Sequence, residues 1–323
     1  MANKVFPTVD LSPFFNGEND ENGKKKAKET ISKACSEYGF FLIVNHGVPQ
    51  EFLSKAMQLS KTYFKYPDEE KLKCSPKFGV PLPAGYIKQP HNVPDKNEFI
   101  IMFPPDSSFN VLPSNPPEFK ESLEKMFICF SKLGELMESI INECLGLPTN
   151  FLKEYNHDRS WDLMAAIHYF AAVGAEDIGQ SEHEDGSCIS FVVQDDVSGL
   201  EVQYNGEWIP VIPEEGKIVV NVADVIQVLT NNKFKSGMHR VASPKGRSRN
   251  SFAFFYNLPG EKWVEPLPQF TKEIGEEPKY RGFKNQDYQA LRVRNKTHPP
   301  ARPEDVIRIT HYAIPTSGNQ KFA

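Results

Sequence analysis

Eight histidines are spread along the 323 residues, and most have no obvious partner. His183 does: it stands in Glu182-His183-Glu184-Asp185-Gly186. If this stretch is extended, side chains two apart project from one face, so His183 and Asp185 converge while Glu184 points away. His239, in Gly237-Met238-His239-Arg240-Val241, falls on another strand-like run and can bring a third donor. Two neutral imidazoles and one carboxylate on one face of an octahedron suit Fe(II) and leave the other face open. The pair His-x-Asp is weak evidence by itself, because a chain with eight histidines can match it by chance in an exposed polar turn.

Arg249-Asn250-Ser251 opens the run Phe252-Ala253-Phe254-Phe255-Tyr256 and strengthens the case. On a strand, Arg249 and Ser251 share a face, and Asn250 and Phe252 take the other. A guanidinium turned into an apolar interior is costly unless it meets an anion. A planar guanidinium beside a hydroxyl makes a carboxylate clamp. A dicarboxylate such as 2-oxoglutarate fits, with its 2-oxo acid end on the metal and its distal carboxylate on Arg249 and Ser251. The bland alternative is an exposed arginine on an edge strand.

These groups need a scaffold of strands. After Asp162, short apolar runs alternate with turns at residues 164–170, 189–194, 199–203, 207–212, 217–222, 238–242 and 251–256. That spacing predicts a sandwich or barrel, with Asn205-Gly206 as a hairpin turn. In the N-terminal half, Val5, Pro7, Val9 and Leu11 alternate like a strand, and a charged loop follows around residues 16–23. A helical stretch ends at Tyr38, and residues 39–44 read as a buried strand closed by the turn Asn45-His46-Gly47-Val48-Pro49. Apolar residues recur at three- and four-residue steps over 118–144, which predicts a long amphipathic helix. No βαβ alternation and no GxGxxG occur, so a dinucleotide-binding fold is disfavoured. The expectation is a mainly β protein with supporting α. Residues 1–155 form a helical and strand region packed on a jelly-roll core of residues 156–323, in one integrated unit. A further helix is expected near residues 285–295.

Composition narrows the partners. A formal net charge of −5 gives no global attraction to nucleic acid or anionic membrane. No run approaches the roughly 20 apolar residues that span a bilayer, and the first ten residues lack the apolar core of a secretory signal. The five cysteines are odd in number and form no CxxC pair, as expected of buried thiols in a reducing compartment. The cytosol is the expected location, with nuclear access open, and a monomer is the expected state.

With these residues in hand, the chain closely resembles the plant-type 2-oxoglutarate/Fe(II)-dependent dioxygenases. That family includes flavonoid, gibberellin and alkaloid oxidases and the ethylene-forming aminocyclopropane-carboxylate oxidases. The resemblance runs over nearly the whole chain. It is carried by Pro7-Thr-Val-Asp-Leu11, Tyr38-Gly-Phe-Phe41, Asn45-His-Gly-Val-Pro49, His183-Glu-Asp185, Gly199-Leu-Glu-Val202 and Trp208-Ile-Pro-Val211. Asn221-Val-Ala-Asp224, Asn232-Lys-Phe-Lys-Ser236, His239-Arg-Val241 and Arg249-Asn-Ser251 complete the ordered set.

The resemblance implies a double-stranded β-helix core, with His183, Asp185 and His239 as iron ligands. It implies that Arg249, Ser251 and Tyr169 bind 2-oxoglutarate, with ascorbate as an accessory reductant. The family often has asparagine where Ile167 stands, so that polar contact is missing here; Ala223 replaces a usual glycine, and His46 keeps a structural turn. Because Asp185 is present, hydroxylation, desaturation or dealkylation is favoured over halogenation. The implied reaction releases succinate and carbon dioxide and oxidises a small apolar or aromatic plant metabolite. Phe255 matches a position that stacks on aromatic substrates in the flavonoid oxidases. Phe103 and Tyr288 are candidates for the pocket mouth, with plain core packing as the alternative. Two rivals remain: an ascorbate-dependent oxidase that needs no 2-oxoglutarate, and a non-catalytic jelly-roll binding protein.

Overall fold

Valine, isoleucine and phenylalanine fill the strands, as β-branched and aromatic residues do on a pleated, buried surface. The computed structural model describes residues 6–15, 20–77, 83–91, 93–174, 177–297, 300 and 302–315. Val5, His298 and residues 16–19 of the charged loop lie outside them. The strands are β1 (Thr8–Asp10), β2 (Phe40–Val44), β3 (Gly85–Lys88), β4 (Asn97–Met102), β5 (Leu163–Tyr169) and β6 (Ile178–His183). They continue as β7 (Ile189–Gln194), β8 (Leu200–Tyr204), β9 (Glu207–Pro210), β10 (Ile218–Val222), β11 (His239–Ala242) and β12 (Arg249–Tyr256). The helices are α1 (Glu21–Glu37), α2 (Gln50–Tyr63), α3 (Asp68–Leu72), α4 (Phe119–Cys144), α5 (Phe151–Tyr155), α6 (Asp224–Leu229) and α7 (Asn285–Thr297).

The large sheet runs β1-β2-β10-β7-β12-β5-β4-β3, and a smaller one runs β6-β11-β8-β9. Strands β5 to β12 thus supply four neighbours to each sheet, which is the jelly roll. The N-terminal region extends the large sheet with β1 and β2 at one edge and β3 and β4 at the other. Among the described residues, no helix is long and apolar enough to cross a membrane. All five cysteines are unpaired.

Alternation along β12 divides the core in two. Phe252, Phe254 and Tyr256 face the helices, where the Phe254 ring meets Phe127 and Phe130 of α4 at 5.1 and 5.6 Å between centroids. Ala253 faces the other way and packs with Phe99, Ala165, Ile167, Tyr169 and Val241 in a smaller interior cluster. The α4 stripe therefore serves as core, with Phe119, Leu123, Met126, Phe130 and Met137 buried.

Gly134 in α4 is where the backbone comes closest to the sheet. A Cβ there would overlap the Tyr256 ring. An ordinary Gly→Ala change inside a helix gains about 1 kcal/mol. Here Gly134→Ala is expected to cost about 1–3 kcal/mol, because overpacking forces the ring or helix to shift. A lowered urea midpoint at unchanged slope would record it.

Candidate functional site

Strands β6 and β11 are antiparallel neighbours, and their register sets His183 opposite His239. The two rings stand 4.2 Å apart between centroids. Asp185 follows β6 by two residues, and its Oδ1 is 3.7 Å from Nε2 of each histidine. One ligand atom from each of the three lies within 4.8 Å of the others, and no other such trio occurs among the described residues. Glu184 turns away toward Arg308, 3.7 Å from it.

Backbone carbonyls fix both imidazoles. Nδ1 of His183 lies 2.8 Å from the Ser181 carbonyl oxygen, and Nδ1 of His239 lies 3.0 Å from that of Gly237. A carbonyl can only accept, so Nδ1 carries a proton in each ring, and in the neutral form Nε2 keeps its lone pair. Both lone pairs are directed at the same carboxylate. Asn221 of β10 donates its Nδ2 to Oδ2 of Asp185 at 3.0 Å, which aims Oδ1 at the imidazoles. Gln180 donates to Nε2 of His183 at 3.0 Å, an interaction that a metal on that nitrogen would replace.

Charge states suit a cation. Burial, reinforced by the neighbouring His239 ring, holds the His183 pKa well below the usual imidazole range. Burial pushes the Asp185 carboxyl up, but attraction to the His239 and His183 rings in their protonated form, with the Asn221 hydrogen bond, outweighs it and keeps the carboxyl below the usual carboxylate range, a charge that a metal cation can meet in place of those protons. A neutral imidazole and an ionised carboxylate are the forms that bind a metal.

The interior continues from this trio to Arg249. Val241 lies two residues along β11 from His239, about 7 Å on the same face. A Cβ on Gly199 would come within 3.3 Å of Val241 and 3.0 Å of the Arg249 Cδ, so the missing side chain leaves the guanidinium its room. Arg249 is only 1% exposed. Its Nη2 donates to Oε1 of Gln194 at 3.0 Å, and its guanidinium lies 4.9 Å from the Tyr169 ring centroid. Nε and Nη1 have no protein partner although both are buried. Unpartnered N–H groups on a permanent buried cation call for an anion. Ser251, also buried, is paired in register with Ile167 and Gln194 on the same inner face. The donor set therefore fits a divalent metal beside a carboxylate-bearing co-substrate.

The remaining predicted residues separate. Tyr169 is buried against Arg249. Phe255 is half-buried and packs on the interior cluster. Phe103 is buried just past β4, edge-on to Phe109 at 5.0 Å. Tyr288 is fully buried, its hydroxyl donating to Oδ2 of Asp224 at 2.6 Å and its ring packed by Phe283 and Tyr312. That places Tyr288 in the core, packed behind the segment that carries Asp185, and not at a pocket mouth. His46 accepts from the Val48 N–H at 3.2 Å within its own turn.

Sequence reasoning assigned no role to Gln180, Gln194, Asn221 or Asn97. Asn97 of β4 stands beside Tyr169 in register, donates Nδ2 to the Gly179 carbonyl at 2.6 Å, and keeps a buried, unpartnered Oδ1. Ile167 is apolar and buried, so the inner face draws its polarity from the neighbouring strand instead. The only signal available beforehand was Asn221 inside a quoted motif.

Residues 161–258 match the 2OG-Fe(II) oxygenase superfamily. Residues 6–117 match the family described as non-haem dioxygenase in morphine synthesis N-terminal. A 2-oxoglutarate-dependent dioxygenase 19 of Oryza sativa subsp. japonica is 28% identical over 95% of this chain and 91% of its own. A 1-aminocyclopropane-1-carboxylate oxidase 1 of Malus domestica is 31% identical over 89% of this chain and 91% of its own. The crystal structure of JOX2 in complex with 2OG, Fe and JA superposes with a TM-score of 0.82, at 25% identity, covering 97% of this chain and 90% of that one.

Proposed function

Since the chain belongs to the 2OG-Fe(II) oxygenase superfamily, we propose that His183, Asp185 and His239 hold its iron and that Arg249, Ser251 and Tyr169 hold its 2-oxoglutarate. The protein is a 2-oxoglutarate-dependent Fe(II) oxidoreductase acting with dioxygen on a small molecule. The observation that carries the site assignment is Arg249, fully buried with two unpartnered N–H groups, on the inner face that leads to the His-Asp-His trio. When bound, iron and 2-oxoglutarate supply dioxygen activation, with 2-oxoglutarate oxidised to succinate and carbon dioxide as a substrate C–H bond is oxidised.

The chain's own residues bind, orient and dry the site. The two Nε2 lone pairs and Oδ1 of Asp185 form one ligand face. A single carboxylate leaves net positive charge on a divalent ion, which favours an anionic co-substrate. Arg249 sets the orientation of that co-substrate through its distal carboxylate. Val241, Ala165 and Ala253 exclude water between the two charged ends.

The substrate we infer is a small apolar or aromatic metabolite. Ala165 and Ala253 present only methyl groups to the interior, and half-buried Phe255 packs against the same cluster with a ring suited to an aromatic partner. Unpaired cysteines and a net charge of −5 support a protein of the reducing cytosol that works free of nucleic acid and membranes.

Oxygen consumption by the Fe(II)-loaded protein, offered a panel of apolar metabolites, tests the co-substrate. Uptake should require 2-oxoglutarate and match succinate release. Uptake with ascorbate alone would point to the aminocyclopropane-carboxylate oxidase chemistry of the apple relative.

A further inference from the structure

Residues near the C-terminus reach the metal-ligand strands from outside, and they converge on the neighbours of all three proposed ligands. The Arg308 guanidinium lies between the carboxylates that flank His183: Nη2 is 3.4 Å from Oε1 of Glu182, and Nη1 is 3.7 Å from Oε2 of Glu184. The same Nη1 stands 3.1 Å from the sulfur of Met238, the residue before His239. Arg292 of α7 donates to the Glu184 carbonyl, and Gln289 donates to that of Gly186 at 2.7 Å. Asn295 ties α7 to this segment by donating to the Ile307 carbonyl at 2.7 Å, and Ile309 is buried.

We propose that Arg308 is a positioning residue of the metal centre, holding the His183 and His239 strand ends at the spacing the ion requires. The proposal rests on the metal reading given above. Its physical basis is asymmetric. Glu182 is half exposed and contributes little as an ion-pair partner. Glu184 is buried, its Oε2 has no hydrogen-bond partner, and the Arg308 guanidinium 3.7 Å away is the cation in ion-pair range of it, with Arg292 adding a second positive charge nearby. Without Arg308, a buried carboxylate adjacent to a ligand loses its ion-pair partner and keeps only the field of Arg292, and relief comes from moving the strand end toward water. Metal ligands tolerate only about 0.5 Å of displacement.

Groups that support ligands typically change metal affinity by about 10–100-fold when removed. The metal-stripped full chain would be titrated anaerobically with Fe(II), and the visible ligand-field bands of bound Co(II) would be recorded alongside. Wild-type protein should bind one equivalent. Arg308→Ala should bind Fe(II) at least about tenfold more weakly, with shifted Co(II) bands. Arg308→Lys should recover most of the affinity, since an ammonium can still meet both carboxylates. Adding Glu184→Gln to Arg308→Ala should recover part of it, because the buried carboxylate that Arg308 faced no longer carries a charge. Wild-type affinity and unchanged bands in Arg308→Ala would overturn the proposal. If Arg308→Ala fails to fold, Arg308→Met takes its place: weaker binding in Met than in Lys supports the role, and equal binding in both overturns it. Wild-type protein that binds no metal would overturn the metal reading itself, which separates the two failures.

Discussion

Asp185→Ala is expected to lose Fe(II) binding and turnover together while keeping its fold. The substitution leaves two imidazoles and removes the one charge that matches the ion. Supporting groups around metal ligands are worth about 10–100-fold in affinity, so loss of a ligand should exceed about 100-fold. The fold should persist because Asp185 holds its place through its backbone: its carbonyl accepts from the Asp224 N–H at 2.9 Å, and alanine keeps that bond. Asn221 loses its acceptor and is left with a cavity large enough to admit water. Asp185→Asn keeps the shape without the charge and should be nearly as severe. Anaerobic Fe(II) titration with thermal unfolding of the metal-free protein checks both halves. Tight binding by the alanine variant would remove Asp185 from the ligand set.

Arg249→Ala carries the second large effect, and it falls on 2-oxoglutarate. Nε and Nη1 are both free to donate, and charge-assisted hydrogen bonds are worth about 1.5–3 kcal/mol each. Two of them correspond to at least about a hundredfold in affinity. The apparent KM for 2-oxoglutarate should rise by that factor, with a smaller change in the rate at saturation. Arg249→Lys keeps the charge but not the planar fork and should fall between. Stability supplies an independent reading. The variant removes a buried cation with unpartnered N–H groups, so the thermal midpoint without co-substrate should hold or rise. Added 2-oxoglutarate should raise the midpoint of the wild type and leave the variant unmoved. An unchanged KM would show that the carboxylate is held elsewhere.

Strand parity made much of the site legible. The apolar run 189–194 coincides with β7, and 164–170 falls within one residue of β5. The two-residue step from Arg249 to Ser251 puts that pair on one face of β12, because strand side chains alternate whatever the tertiary context, and Asp185 converges on His183 although it lies just past the end of β6. That His239 lies opposite His183 was not legible, since register between strands more than fifty residues apart has no local signature. Asn97 and Gln194 escaped for the same reason, and Gln180 escaped because regular alternation sets it on the other face from His183, which the bulge in the β6–β11 ladder overrides.

Strand β4 went unread because its sequence opens with Asn97-Glu98, which looks like a loop. Glu98 is in fact buried, with Lys71 at 2.7 Å and the Tyr86 hydroxyl at 2.5 Å, so a charge that reads as solvated is neutralised inside. Helix α2 hides its periodicity in a similar way, burying Ser60 and Tyr63 alongside Leu53 and Ala56. Tyr288 takes the core-packing alternative. An aromatic residue on a C-terminal helix suggested a pocket, and the helix buries it in the core.

The most direct measurement is anaerobic addition of Fe(II) and 2-oxoglutarate to the metal-free protein, followed by visible absorption. A 2-oxo acid chelated to Fe(II) gives a charge-transfer band that neither component gives alone. One equivalent of iron per chain should saturate the band in the wild type, and Asp185→Ala should show none. Absence of the band in wild-type protein, or its full retention in that variant, would contradict a metal held by His183, Asp185 and His239.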